Sequence, residues 1–409
     1  MAMRLSSGGV PFAGLCGVAL GCALSGVALA NPESPSGEPL IFANSFEPPP
    51  PCIPTTPPSA FEIPSNGEDD DCDGSVDEPR ELCDLGLPSN SASAPQYAAA
   101  LDLCQSTTDP GVGWGLVSAT FALANGTGIP APQSRAIRPA FGAGGTTAAG
   151  SAMAVLSTGA AAAPGQVNPS HAAFQIGTDT TTQSAAPVDW LSANGGAFPV
   201  APGCPPAGGN TAVNPVLLSL RIRVPTNAHS FRFAARVLAS DYPEWVCSPY
   251  NDVFVALLDS VYAGTPPNPP DRNLARYIAS PGQVYPLGVN LAAGNTGLFT
   301  QCLNGNIGCA SGAVAGVATT CVGTAGLAGS GMDSLNPMGV FGQPGFCGSN
   351  NLLGGGTDWL LVRGNVVPGE VITVRLAVWD VGDGLQDTVI LLDDFQWSRN
   401  VFEPGVSMP

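Results

Sequence analysis

Short runs of apolar residues, separated by Gly, Pro, Asn and Asp, recur along the chain from residue 115 to residue 397. Most are rich in Val, Leu, Phe or Thr, which pack well on a pleated sheet. In two of them, 220–224 and 231–237, apolar and arginine positions alternate, as expected of a strand with one face in the core. The pattern predicts strands at 115–123, 151–157, 216–224, 230–238, 253–258, 371–379 and 388–397.

Helical periodicity is scarce, and its best example is 94–105, where Tyr97, Leu101 and Cys104 would share a face. The last two strand runs flank an Asp-Gly pair, so we predict an antiparallel hairpin that turns at residues 382–386. The expected fold is therefore mainly β, an antiparallel β-sandwich or jelly-roll-like domain over about 95–400.

The first 66 residues resemble export and linker sequence. Arg4 precedes a small apolar stretch that ends in Ala-Leu-Ala at 28–30, a signal-peptide cleavage pattern, so the mature chain should begin near Asn31. Residues 31–64 hold eleven prolines, which favours a disordered, extended stalk. We divide the chain into a signal peptide (1–30), a proline-rich linker (31–66), an acidic motif (67–84) and the β domain (95–400).

Ten of the twelve cysteines lie beyond the signal peptide, an even number in a chain expected to be exported. No CxxC pair occurs, and thiolate zinc sites generally use such pairs. Disulfides are therefore predicted, although their connectivity cannot be read from the spacing.

The 13 basic residues are all arginine, against 31 acidic residues, and the formal charge is −18. Nucleic acids and anionic membranes require a basic face, so neither is expected as a partner. The uncharged stretch 310–332 is too rich in Gly, Ser and Thr for a membrane span, and we predict a loop held by Cys321. With no hydrophobic C-terminal anchor either, we expect a protein that is secreted or on the outer surface of a bacterium, without membrane insertion after signal removal.

The run DDDCDGSVDE at 69–78 sets oxygen ligands at alternate positions around a turn at Gly74. Its spacing follows the first nine positions of an EF-hand calcium loop. Arg80 stands where that loop has a bidentate glutamate, so Glu78 or Glu81 would have to substitute, and weak calcium affinity is expected. A plain solvated charge run, the alternative, needs neither the glycine nor the two-residue spacing. The predicted ligands are Asp69, Asp71, Asp73, Ser75 (through its carbonyl), Asp77 and Glu78.

A second candidate cation site lies near the C-terminus, in the segment WDVGDGLQD and the strand after it. Hairpin-turn chemistry at Asp383-Gly384 is the competing explanation for part of this pattern. The candidate ligands are Asp380, Asp383, Asp387 and Asp393.

A cysteine-bearing loop at 240–252 combines acids, an amide and aromatic residues. Its acids could join a calcium site or contact a glycan, with the two rings as stacking platforms; packing of the loop against its own sandwich is the alternative. The candidates are Asp241, Glu244, Trp245, Tyr250 and Asp252.

Catalytic centres built on histidine are constrained by number, because only His171 and His229 exist. A three-histidine or HExxH zinc centre is excluded, and no GxSxG elbow accompanies a possible serine triad. His229 is expected to be a surface turn residue. We assign no catalytic residue, and a glycosidase pair of carboxylates stays open because separations between acids are not visible in sequence.

Several sequence blocks are similar to the bacterial choice-of-anchor L family over about residues 97–398. The most specific are YPEWVCSPYNDVFVALL (242–258) and WDVGDGLQDTVILLDDFQW (379–397). The resemblance implies an exported surface protein whose anchor varies between members, and this chain departs from the family in lacking a C-terminal anchor.

The acidic run separately resembles the metal-binding repeat of the MopE type, whose members share a DNDCDGxVDE core. The repeat carries another cysteine about seven residues before the position of Cys72, where this chain has Pro64 and Ser65, so Cys52 or Cys83 would have to take its place. Copper is associated with the name of that repeat, but carboxylates without histidine or methionine favour calcium on ligand hardness.

We therefore expect an exported recognition or adhesion protein with a calcium-type loop and a glycan or surface polymer as its partner. A secreted polysaccharide hydrolase that uses a carboxylate pair and a structural envelope component are the alternatives. The sequence does not identify the ligand, the oligomeric state or the mode of anchoring.

Overall fold

The computed structural model of the chain describes residues 59–166, 179–311, 315–335, 347 and 352–409. These residues belong to one compact unit that begins at residue 51. The predicted signal peptide, most of the predicted linker and His171 lie outside the described residues.

Strands dominate the described residues. The helices are α1 (Ala94–Ala100) and α2 (Val188–Ala193), with short 3-10 turns at Pro132–Ser134, Val289–Leu291, Cys309–Ser311 and Ala325–Leu327. The strands are β1 (Gly115–Ala122), β2 (Arg135–Arg138), β3 (Ala140–Phe141), β4 (Gly145–Thr146), β5 (Met153–Ser157), β6 (Gln183–Ala185), β7 (Thr211–Arg223), β8 (Ser230–Ala239), β9 (Val253–Asp259), β10 (Arg276–Ala279), β11 (Gln283–Pro286), β12 (Gly305–Ile307), β13 (Gly316–Ala318), β14 (Ser334–Leu335), β15 (Leu352–Leu353), β16 (Gly355–Gly356), β17 (Leu360–Asn365), β18 (Val371–Val381), β19 (Thr388–Ser398) and β20 (Gly405–Ser407).

Two antiparallel sheets form the β-sandwich that the sequence predicts. The first has the order β1-β7-β18-β9, with β6 also paired to β7; the second has the order β2-β5-β19-β8-β17-β20, with β16 also paired to β8. All seven predicted strand runs are strands in the structure. Both sheets contribute alternate residues to one buried core, including Leu220 of β7, Leu376 of β18, Phe233 of β8 and Leu392 of β19.

The outer faces of both sheets are also covered. Trp190 of α2 packs with Phe198 against Trp379 on the first sheet. Phe141 and Leu327 cover the second sheet in another apolar cluster. This double coverage explains why the central strands are nearly continuous apolar runs rather than strict alternations, since both of their faces are buried.

The predicted hairpin between the last two long strands is wrong. β18 pairs with β7 and β9 in one sheet, whereas β19 pairs with β5 and β8 in the other. The connection at 382–387 is therefore an arch that crosses from one sheet to the other. Each strand is central in its own sheet and has both edges occupied, so neither has an edge left for the other.

Helix α1 is shorter than the predicted segment 94–105. It starts after Ser93 with Pro95 in its first turn, where a proline costs no helical hydrogen bond. It ends at Ala100 because Asp102 adopts a left-handed φ of 62°. Tyr97 and Leu101 are fully buried, so the predicted apolar face is present.

The stretch 310–332 contains β13 and two 3-10 turns in its described residues, and Cys321 in it is bonded to Cys302. Within the described part of the chain, no helix has the length and apolar character that crossing a membrane requires.

Four disulfide bonds link described cysteines, which confirms the predicted oxidation of these residues. They join Cys83–Cys104, Cys204–Cys247, Cys302–Cys321 and Cys309–Cys347. Cys72 is also in a disulfide bond. Because Cys83 is bonded to Cys104, it does not serve as the partner of Cys72.

We expect the purified mature protein to contain no free thiol, and its melting temperature to fall by at least about 10 °C on reduction, because each bond closes a loop that restricts the unfolded chain. Thiol titration under denaturing conditions and thermal scans with and without reductant measure both. Several titratable thiols in the denatured protein would contradict the expectation.

Candidate functional site

The acidic segment at 59–81 is attached to the sandwich at several points. Its start pairs with the turn after β7: Thr226 donates its amide N–H to the Ser59 carbonyl, and Asn227 exchanges two hydrogen bonds with the Phe61 backbone (2.9 and 3.1 Å). The predicted linker to residue 66 therefore extends too far, because its last residues are already docked. At the other side, Cys83–Cys104 ties the segment to the chain that follows α1.

Two groups of three carboxylates in this segment have ligand oxygens within 4.8 Å of one another. The first is Glu62, Asp69 and Asp71; the second is Asp71, Asp73 and Glu78. Asp71 belongs to both, so the five side chains form one continuous acidic cluster. Oxygen atoms at such spacing are what a hard cation such as calcium binds.

The turn that builds this cluster forms around Gly74. Gly74 has φ +99°, a conformation that strains any other residue, and donates its N–H to Asp69 Oδ2 (3.1 Å). Amide groups of the same turn donate to Asp71 Oδ1 (from Asp73, 3.1 Å) and to Asp73 Oδ1 (from Ser75, 2.8 Å). Backbone N–H groups of the turn therefore hold the carboxylates of Asp69, Asp71 and Asp73 in place.

The acidic cluster differs from the predicted ligand set at two positions: it lacks Asp77 and includes Glu62. Asp77 accepts N–H donors from Asn66 (2.7 Å) and Gly67 (3.1 Å), so its carboxylate closes the turn and lies outside both carboxylate groups. Glu62, which the spacing argument missed, lies in the cluster and accepts the N–H groups of Asp70 and Asp77. Glu78 lies with Asp71 and Asp73, as required of a substitute for the missing glutamate.

A cavity of about 360 Å³ opens between the acidic cluster and the sandwich. Volumes of this order hold small-molecule ligands. Both oxygens of Glu78 and the indole N–H groups of Trp114 and Trp397 are shielded from solvent without a hydrogen-bond partner. The lining residues central to the argument are Glu62, Asp71, Asp73, Glu78, Trp114 and Trp397.

Three carboxyl groups that line this cavity, those of Asp71, Glu78 and Asp102, have raised pKa values. Desolvation, followed by the charges of neighbouring acids, raises the pKa of Asp71 and of Glu78. Desolvation raises the pKa of Asp102 to about 6, against the opposing charge of Arg80. A bound cation would reverse this trend, because positive charge among the oxygens favours their ionised form.

Arg80 connects the acidic segment to the buried acids of the sandwich. Its guanidinium pairs with Asp102 (3.2 Å) and Asp394 and donates to the Phe395 carbonyl (2.8 Å). Arg399 forms a more exposed attachment, 3.0 Å from Asp70. The arginine that replaces a calcium ligand in the spacing pattern therefore anchors the segment instead.

The second predicted cation site lies at the arch between the sheets. Asp380 near the end of β18 and Asp387 just before β19 are fully buried, and Asp383 is partly exposed. Gly159 makes room here, because a Cβ atom at that position would lie 1.9 Å from Asp387 Oδ2. Asp393 is not part of this group: it lies six residues, or about 20 Å, further along β19 and accepts the N–H groups of Ala148 and Ala149.

The acids of loop 240–252 join the arch rather than an open surface. Asp241, Glu244 and Asp252 are buried, and Asp252 contacts the side chains of Asp241 and Asp380. Burial raises the pKa of Asp252 to about 7, and burial with the charge of Asp252 raises the pKa values of Asp241 and Asp380 well above their ordinary range.

The aromatic residues of the same loop lie at the rim of the arch. Trp245 and Tyr250 meet edge to face, 5.4 Å between ring centres, beside a cavity of only about 10 Å³. A sugar ring cannot enter that space, so the predicted glycan contact of Asp241 and Asp252 finds no support in this geometry.

No family of known proteins, no curated protein and no solved structure matches the chain. The resemblances to the choice-of-anchor L family and to the MopE-type repeat therefore remain predictions.

Replacing Arg80 with Gln should destabilise the protein by about 1–3 kcal/mol, because the buried carboxyl of Asp102 would lose its charged partner. Arg221→Gln, at an exposed position of β7, is the matched control and should change stability by less than about 0.5 kcal/mol. Chemical denaturation measures both. Equal effects of the two substitutions would argue against the anchoring role.

Proposed function

We propose that the protein is an exported recognition protein that binds a polyhydroxylated ligand, such as a glycan or surface polymer, at a calcium site next to Trp114 and Trp397. The observation that carries the proposal is that the carboxylates with cation spacing and the two indoles line the same cavity. The four disulfides and the predicted signal peptide support export.

The chemistry of the lining matches such a ligand. Indole faces stack on the apolar face of a sugar ring, and an indole N–H donates to a hydroxyl group. Carboxylates accept hydrogen bonds from hydroxyl groups, and calcium completes its shell with ligand oxygens when the protein supplies only part of it. The cavity therefore offers apolar faces, donors and a charged centre on different walls.

Binding explains the acidic cluster better than hydrolysis does. The raised pKa of Glu78 would suit a general acid, and this favours a polysaccharide hydrolase as the second candidate. A glycosidase, however, places its two carboxyl groups about 5–10 Å apart across the scissile bond. In Glu78, Asp71 and Asp73, one oxygen of each lies within 4.8 Å of the others. Release of new reducing ends from a bound polysaccharide would favour the hydrolase.

Calcium should bind the purified protein with a dissociation constant of about 10⁻⁴–10⁻³ M, the range of extracellular sites. Glu78→Gln should weaken binding at this site at least about tenfold, because the cluster loses one charge, while Glu403→Gln at an exposed position should leave it unchanged. Isothermal calorimetry on chelator-treated protein measures the dissociation constant of each variant. A Glu78→Gln titration that superimposes on that of the unsubstituted protein would refute the site.

A glycan array probed in calcium and in chelator should give signals only in calcium, and Trp114→Ala should abolish them through loss of a stacking face. Trp245→Ala is the matched control, since Trp245 lies at the arch. Loss of binding in the Trp245 variant alone would move the ligand site to loop 240–252. Signals that persist in chelator would mean that glycan binding does not require calcium.

A further inference from the structure

The arch between the sheets gathers acids from distant parts of the sequence. Asp241 lies two residues after the end of β8, and Asp252 stands immediately before β9. Asp380 is the last residue but one of β18, and Asp387 immediately precedes β19. Four strand ends, two from each sheet, therefore place carboxyl groups at one end of the sandwich.

Three of these acids, Asp241, Asp252 and Asp380, are buried without a basic partner among the described residues. Asp241, Asp252 and Asp380 retain 3%, 7% and 1% of their surface. No ion pair of the described residues involves any of the three. Three adjacent carboxylates in such surroundings repel one another and have lost their hydration, so the folded chain requires positive charge or protons among them.

Unsatisfied oxygens identify where the charge would lie. Asp241 Oδ2, Asp252 Oδ2 and Asp380 Oδ1 are shielded from solvent and accept no hydrogen bond. The amide oxygen of Gln386, a residue 6% exposed, is unsatisfied in the same way. Gln386, Asp241 and Asp252 line the small arch cavity, with Asp383 at its partly exposed side.

A neutral amide oxygen gives evidence independent of the acidic charge. Repulsion between carboxylates explains why protons would be taken up, but it does not explain why Gln386 directs an acceptor without a donor into the same space. The volume of about 10 Å³ matches one water molecule or one ion and excludes an organic ligand.

We propose that the arch cavity is a second calcium site, in which Asp241, Asp252 and the Gln386 amide oxygen are the ligands. Asp380 adds its negative charge next to Asp252, and solvent at Asp383 completes the shell. Calcium accepts six to eight oxygen ligands in irregular geometry, which suits a site assembled from loop ends. The ion would bridge the two sheets at the arch.

The test compares calcium stoichiometry between variants of the purified protein after chelator treatment. The unsubstituted protein should bind two ions, and Asp252→Asn/Asp380→Asn should bind one. The loop variant Asp71→Asn/Glu78→Gln should also bind one, retaining the arch ion, and Asp358→Asn, at an exposed position, should bind two. Calorimetry and elemental analysis of the dialysed protein give the counts. One ion in the unsubstituted protein, lost only in the arch variant, would sustain this proposal while the loop site fails.

Thermal stability distinguishes neutralisation of the arch acids by a cation from neutralisation by protons. If a cation occupies the arch, the arch variant should have a higher melting temperature than the unsubstituted protein in chelator, because two repelling charges are gone. In calcium its melting temperature should be the lower of the two, because it no longer binds the ion. An unchanged ion count together with the same difference in both media would mean that protons alone neutralise the cluster, and would overturn the proposal.

Terbium emission supplies a readout that does not depend on acid substitutions. Excitation of Trp245 at the cavity should sensitise terbium bound at the arch. Trp245→Phe should therefore remove part of the emission of the terbium-loaded protein. The remaining emission should come from terbium bound at the loop, near Trp114 and Trp397. If the arch variant fails to fold, unchanged emission in Trp245→Phe is the result that contradicts the site.

Discussion

Burial of β18 and β19 on both faces is the constraint on which the architecture depends. A strand that is apolar on both faces gains most when a sheet extends on both of its edges and other layers cover both of its faces. β18 has these partners in one sheet and β19 in the other, so the six residues between them must cross the sandwich. The polar connection is then forced to an end of the core, and Asp380 and Asp387 with it.

The acidic segment differs from these buried strands, because its carboxylates require contact with solvent while its two ends are attached to the sandwich. Hydrogen bonds between the Phe61 backbone and the Asn227 side chain attach one end, and Cys83–Cys104 attaches the other. Between them, Arg80 pairs with acids of the sandwich. Between these attachments the carboxylates remain near solvent, at the mouth of the 360 Å³ cavity. If the proposed cation binds here, this arrangement would let it exchange with solvent while the attached ends hold the walls of the cavity in place.

The local sequence pattern correctly predicted the features that depend on neighbouring residues, namely the strands and the turn at Gly74. Strand positions follow from β-branched and aromatic runs, and the turn at Gly74 follows from the spacing of its aspartates, so both could be derived from the sequence. The pairing of β18 and β19 failed because an Asp-Gly turn allows a hairpin without requiring one. Only the competition between all strand edges decides the partner, and that competition is non-local.

The residues that line the 360 Å³ cavity could not be predicted together, because their contacts are also non-local. Trp114 and Trp397 are separated by 283 positions, and Glu62 stands before the acidic run in a stretch that its prolines marked as linker. A signal for Glu62 was available, since an acid seven residues before Asp69 lies within reach of a folded turn, but the proline content outweighed it.

The two acidic sites differ in what neutralises them, and this difference follows from solvation. In the loop, backbone amides donate to Asp71 and Asp73, and both side chains are at least partly exposed, so the amides and solvent share their charge. At the arch, Asp241, Asp252 and Asp380 have exchanged water for the ends of two sheets. Asn214 donates to Asp380 Oδ2 (2.9 Å), but each of the three acids retains one buried oxygen without a hydrogen-bond donor. A charge that can be hydrated contributes little to the choice between folded and unfolded states, whereas a buried one contributes much. Occupancy of the loop would therefore act mainly on ligand binding, and occupancy of the arch mainly on how firmly the two sheets are held together.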